Sequence, residues 1–143
     1  MKPADALILV LFGLALYTTF IVFIQPAYFG ITFDVRIING FSNNSSLPLV
    51  VWCVSHDSGD IGGRALQERD DYSWTVKINP FWSSSRFVCT MKWDEKTMKF
   101  EVFRASRDRY RCGDCGECFW LVKEDGFYFS NNGINWIKNF PWM

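Results

Sequence analysis

The stretch RCGDCGECFW, residues 111–120, sets Cys112, Cys115 and Cys118 three residues apart. Thiols at such spacing grip a metal, exchange electrons or staple the backbone. A helix would bring all three to one face, as a metal site wants, but Gly113 and Gly116 each cost that helix about 1 kcal/mol. A loop is therefore expected. Tetrahedral zinc takes four ligands, commonly as two close pairs, whereas Cys53 and Cys89 are isolated and His56 is the single histidine. A redox pair needs a thiolate held at a helix N-terminus within a βαβ unit, and no such pattern surrounds this cluster. Structural bridging remains, with no metal and no cofactor expected.

Bridges persist only in an oxidising compartment, and the N-terminus speaks to that. Lys2 precedes an apolar run from Ala6 to Ile24, followed by Gln25-Pro26-Ala27. The run follows neither a strand nor an amphipathic-helix period and reads as a targeting segment. Residues 1–27 are accordingly expected to be a secretory signal peptide and 28–143 the mature domain. At about 1.5 Å per residue the run reaches about 28 Å, close to the hydrocarbon thickness of a bilayer. An uncleaved anchor is thus the alternative, and contact with a membrane is expected only in that case. Either way the positive-inside bias places everything after Ile24 outside, so a secreted, extracellular protein is expected. Asn43-Asn44-Ser45 and Asn44-Ser45-Ser46 overlap as glycosylation acceptors, which makes Asn43 and Asn44 candidate glycan sites.

The elements that must carry the cysteines are short strands. Phe33, Val35 and Ile37 alternate with polar residues until Asn39-Gly40. Leu49 to Val54 is continuously apolar around Cys53, as expected of a central strand covered on both faces. Ser55 to Gly63, with three glycines and no period, is expected to be a loop. Tyr72 to Ile78, Phe87 to Trp93 and Met98 to Phe103 follow, the last two forming a hairpin about Asp94 to Thr97. Cys118 to Lys123 and Phe127 to Phe129 complete the set. The spacing predicts an all-β fold, a small disulfide-stabilised antiparallel β-sandwich of about seven to eight strands. Phe81-Trp82, beside a strand end, is expected in the core. Arg104, Arg107, Arg109 and Arg111 are expected on a solvated loop. Cys53 and Cys89, in mid-strand, are natural partners for two of the clustered cysteines. A bridge from Cys53 to Cys118 would close about 66 residues and contribute roughly 4 kcal/mol. An odd count leaves one thiol over, and Cys115, between glycines, is the candidate free thiol.

In this order the pieces resemble the plant self-incompatibility protein family of the poppy stigma type, the S-protein homologs. They are Phe33 to Asn39 (FDVRIIN), Leu47 to Leu49, Cys53 to Asp57 (CVSHD) with Ile61-Gly62, Tyr72 to Trp74 and Asn79 to Trp82 (NPFW). Phe87 to Cys89, Trp93, Phe100 to Phe103 (FEVF), Arg107-Asp108, Cys112, Cys118 to Trp120 and Asp125 to Tyr128 (DGFY) continue the series. The resemblance implies a disulfide-stabilised sandwich of small secreted proteins, with four characteristic cysteines falling on Cys53, Cys89, Cys112 and Cys118. Cys115 departs from it, and so does His56-Asp57-Ser58-Gly59-Asp60, where the family carries consecutive aspartates. The founding members are stigma ligands for a pollen membrane protein, so the resemblance implies an extracellular signalling ligand and a plasma-membrane receptor on another cell.

Composition narrows the remaining classes. Fifteen basic and fifteen acidic residues cancel, which argues against a nucleic-acid partner. Imidazole acid–base catalysis by a pair of histidines is excluded by a single His56, and no nucleophile elbow surrounds Ser55, Ser58 or Ser83 to Ser85. No catalytic residue and no small-molecule substrate are assigned. Asp57, Asp60 and the Glu68 to Asp71 run lack calcium-ligand spacing. Binding by loops on a rigid scaffold is the expected function, with His56, Asp57, Asp60, Asp94, Glu95 and Lys96 as candidate receptor contacts. A lectin-like or defence-related binding protein, using surface aromatics such as Trp136 and Trp142, is the alternative.

Overall fold

The computed structural model describes residues 2–29, 31–44, 46–57, 59–78, 84–112 and 115–143, with residues 22–29 described by backbone alone. Phe81, Trp82, Ser45 and Ser58 lie outside these. The chain divides into an N-terminal unit and a strand-bearing unit, Thr32–Ile78 with Ser83–Met143. The first holds helix α1, Pro3–Phe29. Its stretch Pro3–Ile21 is long and apolar enough to cross a membrane, the length and composition that a signal sequence shares.

In the second unit the described residues form nine strands. These are β1 (Ile31–Asn39), β2 (Leu49–Ser55), β3 (Gly59–Leu66), β4 (Asp71–Ile78), β5 (Arg86–Trp93), β6 (Lys96–Arg104), β7 (Glu117–Lys123), β8 (Gly126–Ser130) and β9 (Ile137–Phe140). A short helix, α2 (Ala105–Arg111), joins β6 to β7. One sheet has the order β4-β1-β7-β8-β9 and the other β3-β2-β5-β6. The expected sandwich is present, with differences. β3 and β9 are additional strands, and β1 pairs parallel to β7, with Val35 opposite Cys118 and Ile37 opposite Trp120.

The period-2 pattern explains the core. Phe33, Val35 and Ile37 of β1, Leu49, Val51 and Cys53 of β2, Phe87, Cys89 and Met91 of β5, and Trp120 and Val122 of β7 are all buried. Rings then close the gap between the sheets: Phe100 meets Trp120 at 4.9 Å and Phe127 at 5.1 Å, edge to face, a preferred aromatic geometry. The Trp120 Nε1–H donates to the Val102 carbonyl at 2.9 Å, a hydrogen bond from one sheet to the other.

Three local expectations are corrected. The expected loop 55–63 is a tight turn followed by the edge strand β3. The glycines that masked it are what let it pair: Gly62 has φ +100 beside the bulge between Cys53 and Val54, a conformation open to glycine. The arginine run is not a solvated loop but lies along α2, around the fully buried Asp108. Asp108 accepts from the Arg104 amide at 2.8 Å and from Arg107 Nε at 2.9 Å, and it pairs with Arg111 Nε at 2.9 Å. One carboxylate thus caps the helix start and is shared by two guanidiniums. Burial pulls the Arg111 guanidinium below its usual range, and Asp108 opposes this.

The third correction is the pairing of cysteines. Cys53 bonds to Cys89 and Cys112 to Cys118; a Cys53–Cys118 bridge is ruled out because each partner is already committed. Cys53 and Cys89 face each other across β2 and β5 with Cα atoms 4.1 Å apart. Strand register selects that partner. Cys112 ends α2 and Cys118 lies in β7, so the second bridge pins the helix to the strand that follows. Sequence separations of 36 and 6 correspond to roughly 4 and 2 kcal/mol in the chain-entropy account.

Candidate functional site

The cysteine loop that opened the sequence question is a staple with one spare thiol. Cys115 is free and exposed, and the described residues contain no group of three or more His, Cys, Asp or Glu placed to hold a metal. Gly116, at φ +67, lets the loop lie on β1, where a Cβ would come within 2.7 Å of the Thr32 carbonyl.

The candidate receptor contacts fall into two groups. His56 and Asp57 form the β2–β3 turn, and Asp60 lies on β3. Asp94, at φ 55, and Glu95 form the β5–β6 turn, with Lys96 opening β6, its ammonium 5.4 Å from the Trp93 ring centroid. Ser55 pairs with Phe87, while Trp93 pairs with Lys96, so the two groups sit at opposite ends of the same sheet. The strand between them spans roughly 20 Å. They do not form one loop cluster. Asn43 and Asn44, the candidate glycan sites, are exposed between β1 and β2.

Between those ends lies a surface that the sequence reading placed in the interior. The outward side chains of β2 are Val50, Trp52 and Val54, and they are 43%, 50% and 42% exposed. The expectation that β2 is covered on both faces is therefore incorrect: its second apolar face is open among the described residues. β2 carries this row because its apolar run leaves no polar alternation to present to water. The register gives each outward residue its neighbours. Val50 lies beside Lys92 and Thr97, Trp52 beside Thr90 and Lys99, and Val54 beside Val88 and Glu101.

Trp52 is set in place by its other neighbour. A Cβ on Gly63 would lie 2.6 Å from Trp52 Cε3, so the indole rests across the bare glycine backbone of β3. Alongside it, Val54, His56, Arg86, Val88, Thr90 and Lys99 line a cleft of about 340 Å³. Its charge is uneven. Glu101 accepts from Arg104 Nε at 2.7 Å and Arg86 Nη2 at 3.0 Å, and the Arg104 hydrogen bond foremost holds its carboxyl down at about 2. Lys92 and Lys99 have no ion-pair partner among the described residues. The face combines an apolar row with two uncompensated cations, a composition suited to holding a protein surface.

The sequence missed this face because nothing in an apolar run says whether its second side meets the same chain or another. Trp136 and Trp142, the candidate sugar platform, do not form one surface. Trp142 packs on Phe127 at 4.6 Å and donates Nε1–H to the Lys123 carbonyl at 2.8 Å, while Trp136 stands by Phe119 at 6.4 Å.

Comparison with known proteins gives the chain's family. A sequence model described as plant self-incompatibility protein S1 matches residues 34–142. Among curated relatives from Arabidopsis thaliana, S-protein homolog 5 is 32% identical over 55% of this chain and 58% of its own length. S-protein homolog 24 is 30% identical over 67% of this chain and 66% of its own length, and S-protein homolog 20 is 29% identical over 80% and 83%. The match to the first two therefore spans less than two thirds of their length, while the family match takes in nearly all of the strand-bearing unit. From β1 to Trp142, this chain belongs to the plant self-incompatibility protein S1 family.

Proposed function

We propose that the protein is a secreted, non-catalytic signalling ligand, similar in role to stigma self-incompatibility determinants, that docks on a plasma-membrane receptor protein of another plant cell. The observation that carries this reading is the open row Val50, Trp52 and Val54, three large apolar side chains aligned on one strand of a sheet and about half exposed. Contiguous exposed apolar surface marks an interaction site. A fixed indole at its centre has the character of an interface hot spot. The N-terminal apolar helix supports export. His56, Asp57 and Asp60 border the row at one end and Asp94, Glu95 and Lys96 at the other, so both groups would meet the rim of a receptor that covers the sheet.

The test is binding of the tagged, secreted protein to intact plant cells, with and without prior protease treatment of those cells. Saturable, protease-sensitive binding is expected. Truncation of a central aromatic costs about 2 kcal/mol or more, so Trp52→Ala should weaken binding roughly 30-fold while leaving thermal stability nearly unchanged. Charge reversal at both rim groups should weaken it less. Unaltered binding by Trp52→Ala would remove the sheet face from the reading.

A further inference from the structure

The open sheet face specifies the chemistry of its occupant. On an antiparallel sheet, residues two apart on one strand are about 7 Å apart along it. Val50, Trp52 and Val54 therefore form an apolar row with that spacing along β2. Lys92 on β5 and Lys99 on β6 lie to the β6 side of this row, level with Val50 and Trp52 respectively. Arg86 bounds the same cleft at the His56 end. Of the two acids outward on this sheet, Glu101 is already held by Arg86 and Arg104. Asp60 stands on the far border, on β3, with its carboxylate accepting the Gly62 amide at 2.7 Å. The side towards β6 is thus left with net positive charge, while the side towards β3 is apolar beside Val50 and Trp52 and carries the Asp60 carboxylate opposite Val54.

An extended chain alternates its side chains between two sides at the same repeat. Laid over β5, it would direct every second side chain to the β2 row and the intervening ones to the lysines. We propose that this face receives an extended protein segment in which apolar and acidic side chains alternate. A carboxylate sits between Lys92 and Lys99, clear of Glu101, and apolar side chains lie against Trp52 and Val54. This inference rests on the reading of the face as the docking surface. An anionic membrane also combines negative charge with apolar matter. The cleft favours a protein segment, since its apolar floor, Val54 and Val88, lies on paired strands between flanking cations rather than on a protruding loop tip.

The test uses the secreted, isotope-labelled protein and three probes: a decapeptide alternating Glu and Leu, its Gln and Leu counterpart, and phosphatidylglycerol vesicles. The Glu peptide is expected to shift the amide resonances of Trp52, Val54, Val88, Thr90 and Lys99. It should bind at least tenfold tighter than the Gln peptide at low salt, and lose that advantage in Lys99→Glu and as salt rises. Arg36→Glu, on the opposite sheet, should leave it intact. Equal binding of the two peptides, binding of neither, shifts elsewhere, or preference for the vesicles would each overturn the proposal. Cell binding by Trp52→Ala separates the two readings. If that variant fails on cells while the Glu peptide shows no preference, the docking face stands and its acidic occupant falls. If the variant binds cells normally, the docking face falls as well.

Discussion

The two sheets of the sandwich present opposite kinds of outer face. On the five-stranded sheet several outward polar groups answer one another: Arg36 pairs with Asp71 at 2.9 Å, Thr75 donates to Asp34 at 2.9 Å, and Tyr128 donates to Asp125 at 2.8 Å, with Lys138 3.5 Å from the same carboxylate. On the four-stranded sheet, Val50, Trp52 and Val54 meet solvent, and Lys92 and Lys99 have no ion-pair partner among the described residues. Both sheets contribute buried residues to one core, Val35 and Trp120 from one and Val51 and Met91 from the other. A face can be complete within its own chain or left open, and in the proposed reading the apolar, unbalanced one receives the partner.

The contrast can be broken from beneath. Asp108 anchors α2 and the end of β6, which borders the open face. Asp108→Ala leaves the Arg107 and Arg111 guanidiniums without their buried partner, and losing one member of such a pair costs about 3–5 kcal/mol. A large fall in the denaturant midpoint is expected, and both faces should be lost together. A less severe change acts at the open face, where a Cβ on Gly63 would meet the Trp52 indole at 2.6 Å and the Val51 carbonyl at 2.8 Å. Gly63→Val forces the Trp52 indole off its glycine bed at a cost of about 1–3 kcal/mol, and tryptophan fluorescence together with cell binding should report the displacement.

Acid sharpens the contrast further. With its folded-state carboxyl held down at about 2 against an ordinary value of 4.5, Glu101 binds a proton more readily in the unfolded chain. Its contribution is therefore full above about pH 4.5 and is lost as pH falls towards 2. The melting temperature of Glu101→Gln should lie below that of the native protein at neutral pH and converge with it near pH 2. Arg36→Ala, on the self-neutralised face, is expected to do least. An exposed ion pair contributes at most about 1 kcal/mol, so denaturation should change little and cell binding not at all.

How far the sequence reaches is itself uneven across the two faces. Alternation exposes β1, β4 and β5 because each has one side in the core and the other in water. β2 is legible as a strand, but its uninterrupted apolar run means only that both sides shun water. β3 escapes the same reasoning, since Gly59, Gly62 and Gly63 erase the alternation that its pairing with β2 nevertheless satisfies. The seven residues of α2 are too few to show a period, and what holds them is the single buried carboxylate of Asp108. Cys115 is recognisable as the odd thiol from its glycine neighbours. The partners of the other cysteines depend on which residues of β2 and β5 stand opposite each other, a property of register that no spacing along the chain encodes. The candidate rim residues are exposed as expected, but their separation to two ends of one sheet follows from antiparallel pairing.

The bridge connectivity also bears on how the protein matures. Cys53 and Cys89 stand opposite each other within one sheet, so their bridge depends on the pairing of β2 with β5 alone. Errors of oxidation are then confined to the stretch from Cys112 to Cys118, where Cys115 competes for either neighbour. A mispaired isomer would lose the tie between α2 and β7 while leaving the Cys53–Cys89 bridge in place.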